Sequence, residues 1–419
     1  MREKIIIFGI FFISLLLVSC GSTVIKSSSY SKDYIPAEDF NPSAQNWMDA
    51  DVNMAVSEQG LFFVAGDYLF YLDYQTMKAE PFCFKTDCLH HKEMDSYKVL
   101  ECDAFLGGSS DIGDFIACYK HKVYTVCVNK TSGEFDLIEM NEDGSARRTV
   151  ISDLKSKKAD RILMHRGVIY FTTRSYSLEG ESRSALMALS LVSGNKEPKP
   201  VYVASGNDYL MSVFPCRNQI FFYEGVYKEG TAETESMNIM RYDIHTQETE
   251  SLTTEGMWQI YGVKDDFAIF MIRDGADYQY YSYSLTSGEF AEDSSGITGF
   301  TKAHTGWDCH VECISDDMMV FSCFDRVETR SFVSDLYVAD SQGNEMCTIP
   351  NESWSQMGAQ MITIDGEEFM ARFSKSYTPF SFKLYRKSDL LKGKVDPLTI
   401  LEVDDVNQDL LKAYVIRLH

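Results

Sequence analysis

One polar turn followed by an apolar run recurs seven times along this chain, and that recurrence limits the fold more than any other feature. It reads EQGLFF at Gly60, KHKVYT at Lys122, RGVIYF at Gly167, RNQIFF at Asn218, DDFAIF at Asp266, DDMMVF at Asp317 and DGEEFM at Gly366. The intervals are 62, 45, 51, 48, 51 and 49 residues. A second mark follows in each repeat, an alternating strand that runs into a tight turn: FYLDYQTMK, LIEMNEDGS, ALSLVSGN, RYDIHTQE, YSLTSGE, YVADSQGN and LYRKSDLLKG. Asp, Asn and Gly suit such turns because they tolerate positive φ. The clearest copy, residues 257–292, reads as three alternating strands and the start of a fourth. A period near 50 with about four short strands per unit is the signature of a propeller blade, a sheet that must stack on its neighbours to bury its faces. A β-sandwich pair and a solenoid are the alternatives. Solenoid repeats are usually shorter, and no helical period appears between the units. The expectation is an all-β, seven-bladed β-propeller over about 45–405. The closing LLKAYVIRLH adds a strand to the first or last blade or begins an eighth.

Composition agrees with this reading and narrows the partners. Of 419 residues, 24 are Tyr and 27 Phe, which suits a β-rich globular chain rather than a disordered one. The net charge of −23 argues against nucleic acid and against electrostatic attachment to anionic lipid.

The N-terminus reads as a targeting segment. Arg2 and Lys4 precede an apolar run from Ile5 to Val18, too short for a comfortable span and suited to a signal-peptide core. The run ends in Leu17-Val18-Ser19-Cys20-Gly21, which resembles the bacterial lipobox. That resemblance implies that residues 1–19 are removed, that Cys20 carries lipid and that the protein is held through this anchor on the outer face of a membrane. An ordinary signal peptide or an uncleaved anchor is the alternative. Residues 20–44, Ser-rich and without period, read as a tether, and 45–419 as the propeller.

The first interval is the longest, and its extra residues fall in a Cys/His-rich loop at about 81–105. Three Cys and two His lie within 20 residues there. Cys83, Cys88, His90 and Cys102 can supply a tetrahedral zinc site of structural type. A disulfide from Cys102 to Cys83 or Cys88, or three unligated thiols, are the other readings. The cysteines from Cys118 to Cys347 sit in or beside apolar strand text and read as small buried hydrophobes. Cys309 and Cys313 share a strand, so a disulfide between them would be strained.

Lipobox, blade period and the CxxxDCxH…CDAF loop together resemble a group of bacterial lipoproteins with a DUF5050-like propeller, similar to the YWTD propeller of lipoprotein receptors. The resemblance implies fold and location and supplies no activity. The chain lacks the YWTD tetrapeptide itself.

All four Trp lie shortly before a first mark: Trp47, Trp258, Trp307 and Trp354 precede theirs by 13, 8, 10 and 12 residues. Tyr209 takes the same place in the fourth repeat. In a ring these residues form an arc on one face, where loops lead into the innermost strands. Such an arc can stack on sugars or on apolar peptide side chains. The alternative is that they pack between blades. The expected function is a binding or scaffolding module for a protein, peptide or glycan at the cell envelope. The competing class is a polysaccharide-active propeller enzyme, with Glu312 the clearest acid on a predicted inner strand. No GxSxG, HExxH, P-loop or EF-hand loop is present. Asp265-Asp266 and Asp316-Asp317 fall in the turns, where Asp is expected for structural reasons.

Overall fold

The computed structural model describes residues 54–403, except 66, 94, 108–114, 155–158, 177–181, 192–196, 207, 229–232, 254–255, 265, 275–276, 293–295, 326–334, 351–359, 365–367 and 375–379. Within these the chain is an all-β propeller of consecutive up-and-down antiparallel strands. Among the described residues, the first mark is the turn from a repeat's first strand to its second, as between Met257–Lys264 and Phe267–Asp274. The second mark is the turn from third to fourth, as in Asp277–Ser284 to Phe290–Glu292. Both turns lie on one face of the ring. Fourth strands end, and the next first strands begin, on the other.

Five blades stand as separate four-stranded sheets, not the seven expected, and the fourth and fifth repeats form a single eight-stranded sheet. The cause is a short outer strand. Thr249–Ser251 covers only Met240–Tyr242 of its neighbour Thr234–Asp243, so the earlier half of that neighbour keeps an open edge. Met257, at the start of the fifth repeat, pairs with Met237 on that edge in parallel, and the Met237 amide donates to the Gly256 carbonyl at 2.9 Å. Gly256 has φ +93°, and a Cβ there would stand 2.6 Å from Ile272 Cδ1, so the junction depends on glycine.

Each second strand is buried on both faces, which is why it reads as an unbroken apolar run. In Gly60–Ala65 all six residues are buried. Leu61, Phe63 and Ala65 face the seventh repeat, while Phe62 and Val64 face the second. Among the described residues, one apolar cluster lies between each pair of successive repeats. Another joins the first repeat to the seventh, with Phe63 stacked on Phe382 at 4.4 Å. Each buried Phe or Leu contributes about 1.5–3 kcal/mol, so these seams hold the ring.

The turn face adds polar ties between repeats. Arg166 Nη1 donates to Asn218 Oδ1, and Arg217 pairs with Asp266, which also accepts from Thr286. Lys387, its side chain 5% exposed, reaches Asp317 at 2.8 Å. Asp266 and Asp317 are therefore turn and seam residues. Cys20, Trp47, Trp354 and the closing 410–419 lie outside the described residues. Among the described residues, no helix is long and apolar enough to cross a membrane.

Candidate metal centre in the first crossover

The segment between Pro81 and Ile116 carries two short helical pieces, a 3-10 turn at His90–Lys92 and α1 at Ser96–Glu101. Neither is long enough to be stable alone. The segment is fixed at both ends by the first sheet. Phe82 donates its amide to the Leu69 carbonyl, Leu69 to that of Ala104, and Leu106 to that of Asp67, each at 2.8 Å. Phe105 thereby bridges to Tyr68, and their rings lie 5.3 Å apart. Val128 donates to Leu106 at 2.7 Å, which ties the returning chain to the second sheet as well. Val99, Cys102, Ala104 and Phe105 join the apolar seam of the first and seventh repeats.

This anchoring brings the four proposed ligands together. The donor atoms of Cys83, Cys88, His90 and Cys102 all lie within 4.8 Å of one another. Four ligands at about 2.3 Å from one zinc stand about 3.8 Å apart at tetrahedral angles. Cys102 Sγ and His90 Nδ1 are 3.7 Å apart. His90 holds φ +53°, a left-handed conformation costly for a residue other than glycine, and this backbone bend turns its ring back toward the thiols. Cys102 is buried, while Cys83 and Cys88 are half-buried. The donor set closes on itself, and three thiolates with one imidazole suit zinc rather than a hard cation.

The electrostatics differ from ligand to ligand. Burial would raise the Cys83 thiol, yet the amides of Lys85 and Asp103 and the thiols of Cys102 and Cys88 hold it below the ordinary value. Burial, with Cys88 and Cys83 beside it, pushes Cys102 up to about 12. Burial lowers the His90 imidazole, which favours the neutral, ligating ring. Lys85 Nζ reaches Asp103 Oδ1 at 2.8 Å and also donates to the Glu101 carbonyl, closing the loop over the group. Tyr68 was not anticipated from the sequence. Burial raises its phenol, and Cys102 and Cys88 are among the nearby groups that raise it further.

Of the five aromatic residues singled out by spacing, Tyr209, Trp258 and Trp307 are described, and each stands at the start of a first strand on the crossover face. Trp307 opens Trp307–Ile314 and is 41% exposed. Trp258 is half-buried against the seam of the fourth and fifth repeats, with Tyr281 and Phe290 at 5.5 and 6.0 Å. Tyr209 opens Tyr209–Cys216, lies 4.9 Å from Tyr227, takes the Arg174 guanidinium on its ring at 5.3 Å and shares a hydrogen bond with Thr234. Glu312 is the extra residue where the Trp307–Ile314 ladder slips by one. Burial raises its carboxyl, which accepts a hydrogen bond from the Ser322 hydroxyl. The ten described cysteines are all thiols, with no disulfide among them.

No protein-family model matches this chain, and no curated protein matches it. Among solved structures it is similar to TolB from Acinetobacter baumannii at 13% identity, over 84% of this chain and 79% of that one, with a TM-score of 0.35. It is similar to the Pyrococcus horikoshii acylaminoacyl peptidase at 11% identity, over 88% and 54%, with a TM-score of 0.46. The β-propeller domain of the Trilobed protease from Pyrococcus furiosus matches at 8% identity over 86% and 99%, with a TM-score of 0.49. The chain spans about half the length of the acylaminoacyl peptidases it resembles. Likenesses at these identities carry nothing about activity; it is by its own sheets that this chain is an all-β propeller.

Proposed function

We propose that this protein is a lipid-anchored, extracytoplasmic propeller that binds a protein, peptide or glycan of the cell envelope on its crossover face. Trp307, 41% exposed at the mouth of an inner strand, carries this reading. Tyr209 and Trp258 open the two preceding repeats on the same face, and the Cys/His crossover lies on that face as well. The eight-stranded sheet counts as two blades here, because an apolar seam lies between its halves as it does between every other pair of repeats. Counted in this way, the proposed propeller has seven blades. Zinc on Cys83, Cys88, His90 and Cys102 is structural and fixes the first crossover. Location rests on the lipobox resemblance at Cys20.

The test is retention of the full chain on peptide and glycan arrays, with Trp307→Ala and Tyr209→Ala beside it. Retention reduced about tenfold, about 1.4 kcal/mol, with melting unchanged supports the site. Retention of all three proteins alike, or of none, sinks it. Palmitate-analogue labelling that persists in Cys20→Ala would remove the anchor from the proposal.

A further inference from the structure

Strands Trp307–Ile314 and Met318–Asp325 form an antiparallel pair in which Cys309 stands directly opposite Cys323. Directly opposed residues on such a pair have Cα atoms about 4.5–5.5 Å apart and side chains on the same face. Disulfides span Cα separations of about 4.4–6.8 Å, so either kind of opposed pair falls in range. Both residues are buried, at 4% and 1% exposure, and both belong to the apolar cluster between the fifth and sixth repeats.

Cys313 is excluded by the same ladder. On a regular strand, residues four apart face the same way. Here the register slips between Val311 and Cys313, with Glu312 as the extra residue. Cys313 therefore turns to the other side of the sheet and belongs to the cluster between the sixth and seventh repeats. Of three cysteines on two adjacent strands, two share a face and one does not.

We infer that Cys309 and Cys323 are a cross-linking site, closed by a cross-strand disulfide when the protein meets an oxidised thiol. The chemistry is ordinary exchange with a disulfide such as oxidised glutathione. One cysteine thiolate attacks a glutathione sulfur, forming a mixed disulfide and releasing one glutathione thiolate. The opposing thiolate then attacks the protein sulfur of that mixed disulfide, forming the Cys309–Cys323 bond and releasing the second glutathione. Two electrons pass from the protein thiols to the glutathione disulfide, and the two thiol protons end on the two glutathiones. Exchange runs before the sheet closes over the pair, or through local opening. The bond lies two residues from Trp307, whose own ladder partner is Asp325, and so fastens the strand end that presents this side chain.

The experiment uses the full chain in two forms, one isolated from an oxidising secretory compartment and one equilibrated in glutathione buffers of rising oxidised fraction. Each is alkylated in denaturant, digested and mapped by mass. The expected result is a linked peptide pair containing Cys309 and Cys323, lighter by two hydrogens than the two peptides together, with Cys313 and Cys216 alkylated. In Cys323→Ser the pair vanishes and Cys309 is alkylated. In Cys313→Ser the pair persists. Oxidation raises the melting temperature of the parent and of Cys313→Ser, and leaves that of Cys323→Ser unmoved. Alkylation of both Cys309 and Cys323 in both preparations at every buffer ratio overturns the inference. So does a link from either of them to Cys313, or a stable glutathione adduct on either.

Discussion

The cysteines of the first crossover and those of the sheets are the same residue put to opposite uses. Cys83, Cys88 and Cys102 lie where the chain leaves its ladders, and with His90 they converge on one point. Cys118, Cys216 and Cys313 lie in strands, and burial pushes their thiols up, away from the thiolate that metal and electrophile both require. In a strand, alternation and the neighbouring sheet decide where a side chain points. In the crossover no ladder decides, and convergence must come from elsewhere: a left-handed His90, a six-residue helix and the backbone hydrogen bonds that anchor the segment to the first and second sheets. A propeller can carry Cys118, Cys216 and Cys313 as packing in its blades and still gather the same residue type at one point in a connection.

The largest effect that separates the two groups should come from Cys102. Cys102→Ala removes the buried ligand, and zinc bound by the purified chain should fall from about one equivalent to near none. The metal stabilises whole small domains by about 10–16 kcal/mol, and this segment is also tied to the sheets by backbone hydrogen bonds, so the loss expected here is smaller, about 3 kcal/mol or more. Metal analysis and thermal melting of the same sample measure both. A wild-type chain that takes up no zinc, or a variant that retains it, would dissolve the contrast between crossover and sheets.

A sheet thiol should respond differently. Cys216 is 2% exposed in the seam of the fourth and fifth repeats. Cys216→Ser places a hydroxyl among apolar groups, and the expected cost is about 1–3 kcal/mol with zinc unchanged. After chelation, Cys83 should react with an alkylating reagent at neutral pH, while Cys216 waits for denaturant. Equal reactivity of the two would show that burial does not separate them.

The sequence discloses a great deal of this because the period is strong. Turns such as Arg217-Asn218 and Asp316-Asp317 recur at intervals near 50 and fall where first strands end. The group Cys83, Cys88, His90 and Cys102 is legible because an anomalous interval singles out the segment and its residue types could hold a zinc ion. The fusion of the fourth and fifth repeats is not legible, because it follows from how far Thr249–Ser251 extends along its neighbour, a matter of strand length and not of pattern. Nor is the pairing of Cys309 with Cys323. The two lie almost symmetrically about the Asp316-Asp317 turn, which is a signal, but the slip at Glu312 that sends Cys313 to the other face has no mark in the residues themselves. Placing Trp258 against a seam while leaving Trp307 exposed depends on tertiary neighbours that spacing does not specify.

Acid should part the crossover from the seams by the smallest margin. Zinc leaves as the thiolates and imidazole take protons. The tie between Lys387 and Asp317 fails later. Burial would raise the Asp317 carboxyl, but the Lys387 ammonium and the Ser315 hydroxyl hold it below its ordinary 3.8. A carboxyl held below its unfolded value stabilises the fold above that value, and the contribution fades as pH falls through the lower, folded one. Metal release should therefore begin above pH 3.8, and the loss of this tie below it. Because Asp317 is 52% exposed, solvent screens the pair, and Asp317→Asn should cost only about 1 kcal/mol at neutral pH. The difference from wild type should shrink to nothing in strong acid. Acid titration of zinc content and of melting in both proteins measures this order. Metal retained below the pH at which the tie is lost, or a constant gap between the two proteins across that range, would show that crossover and seam do not titrate as separate parts.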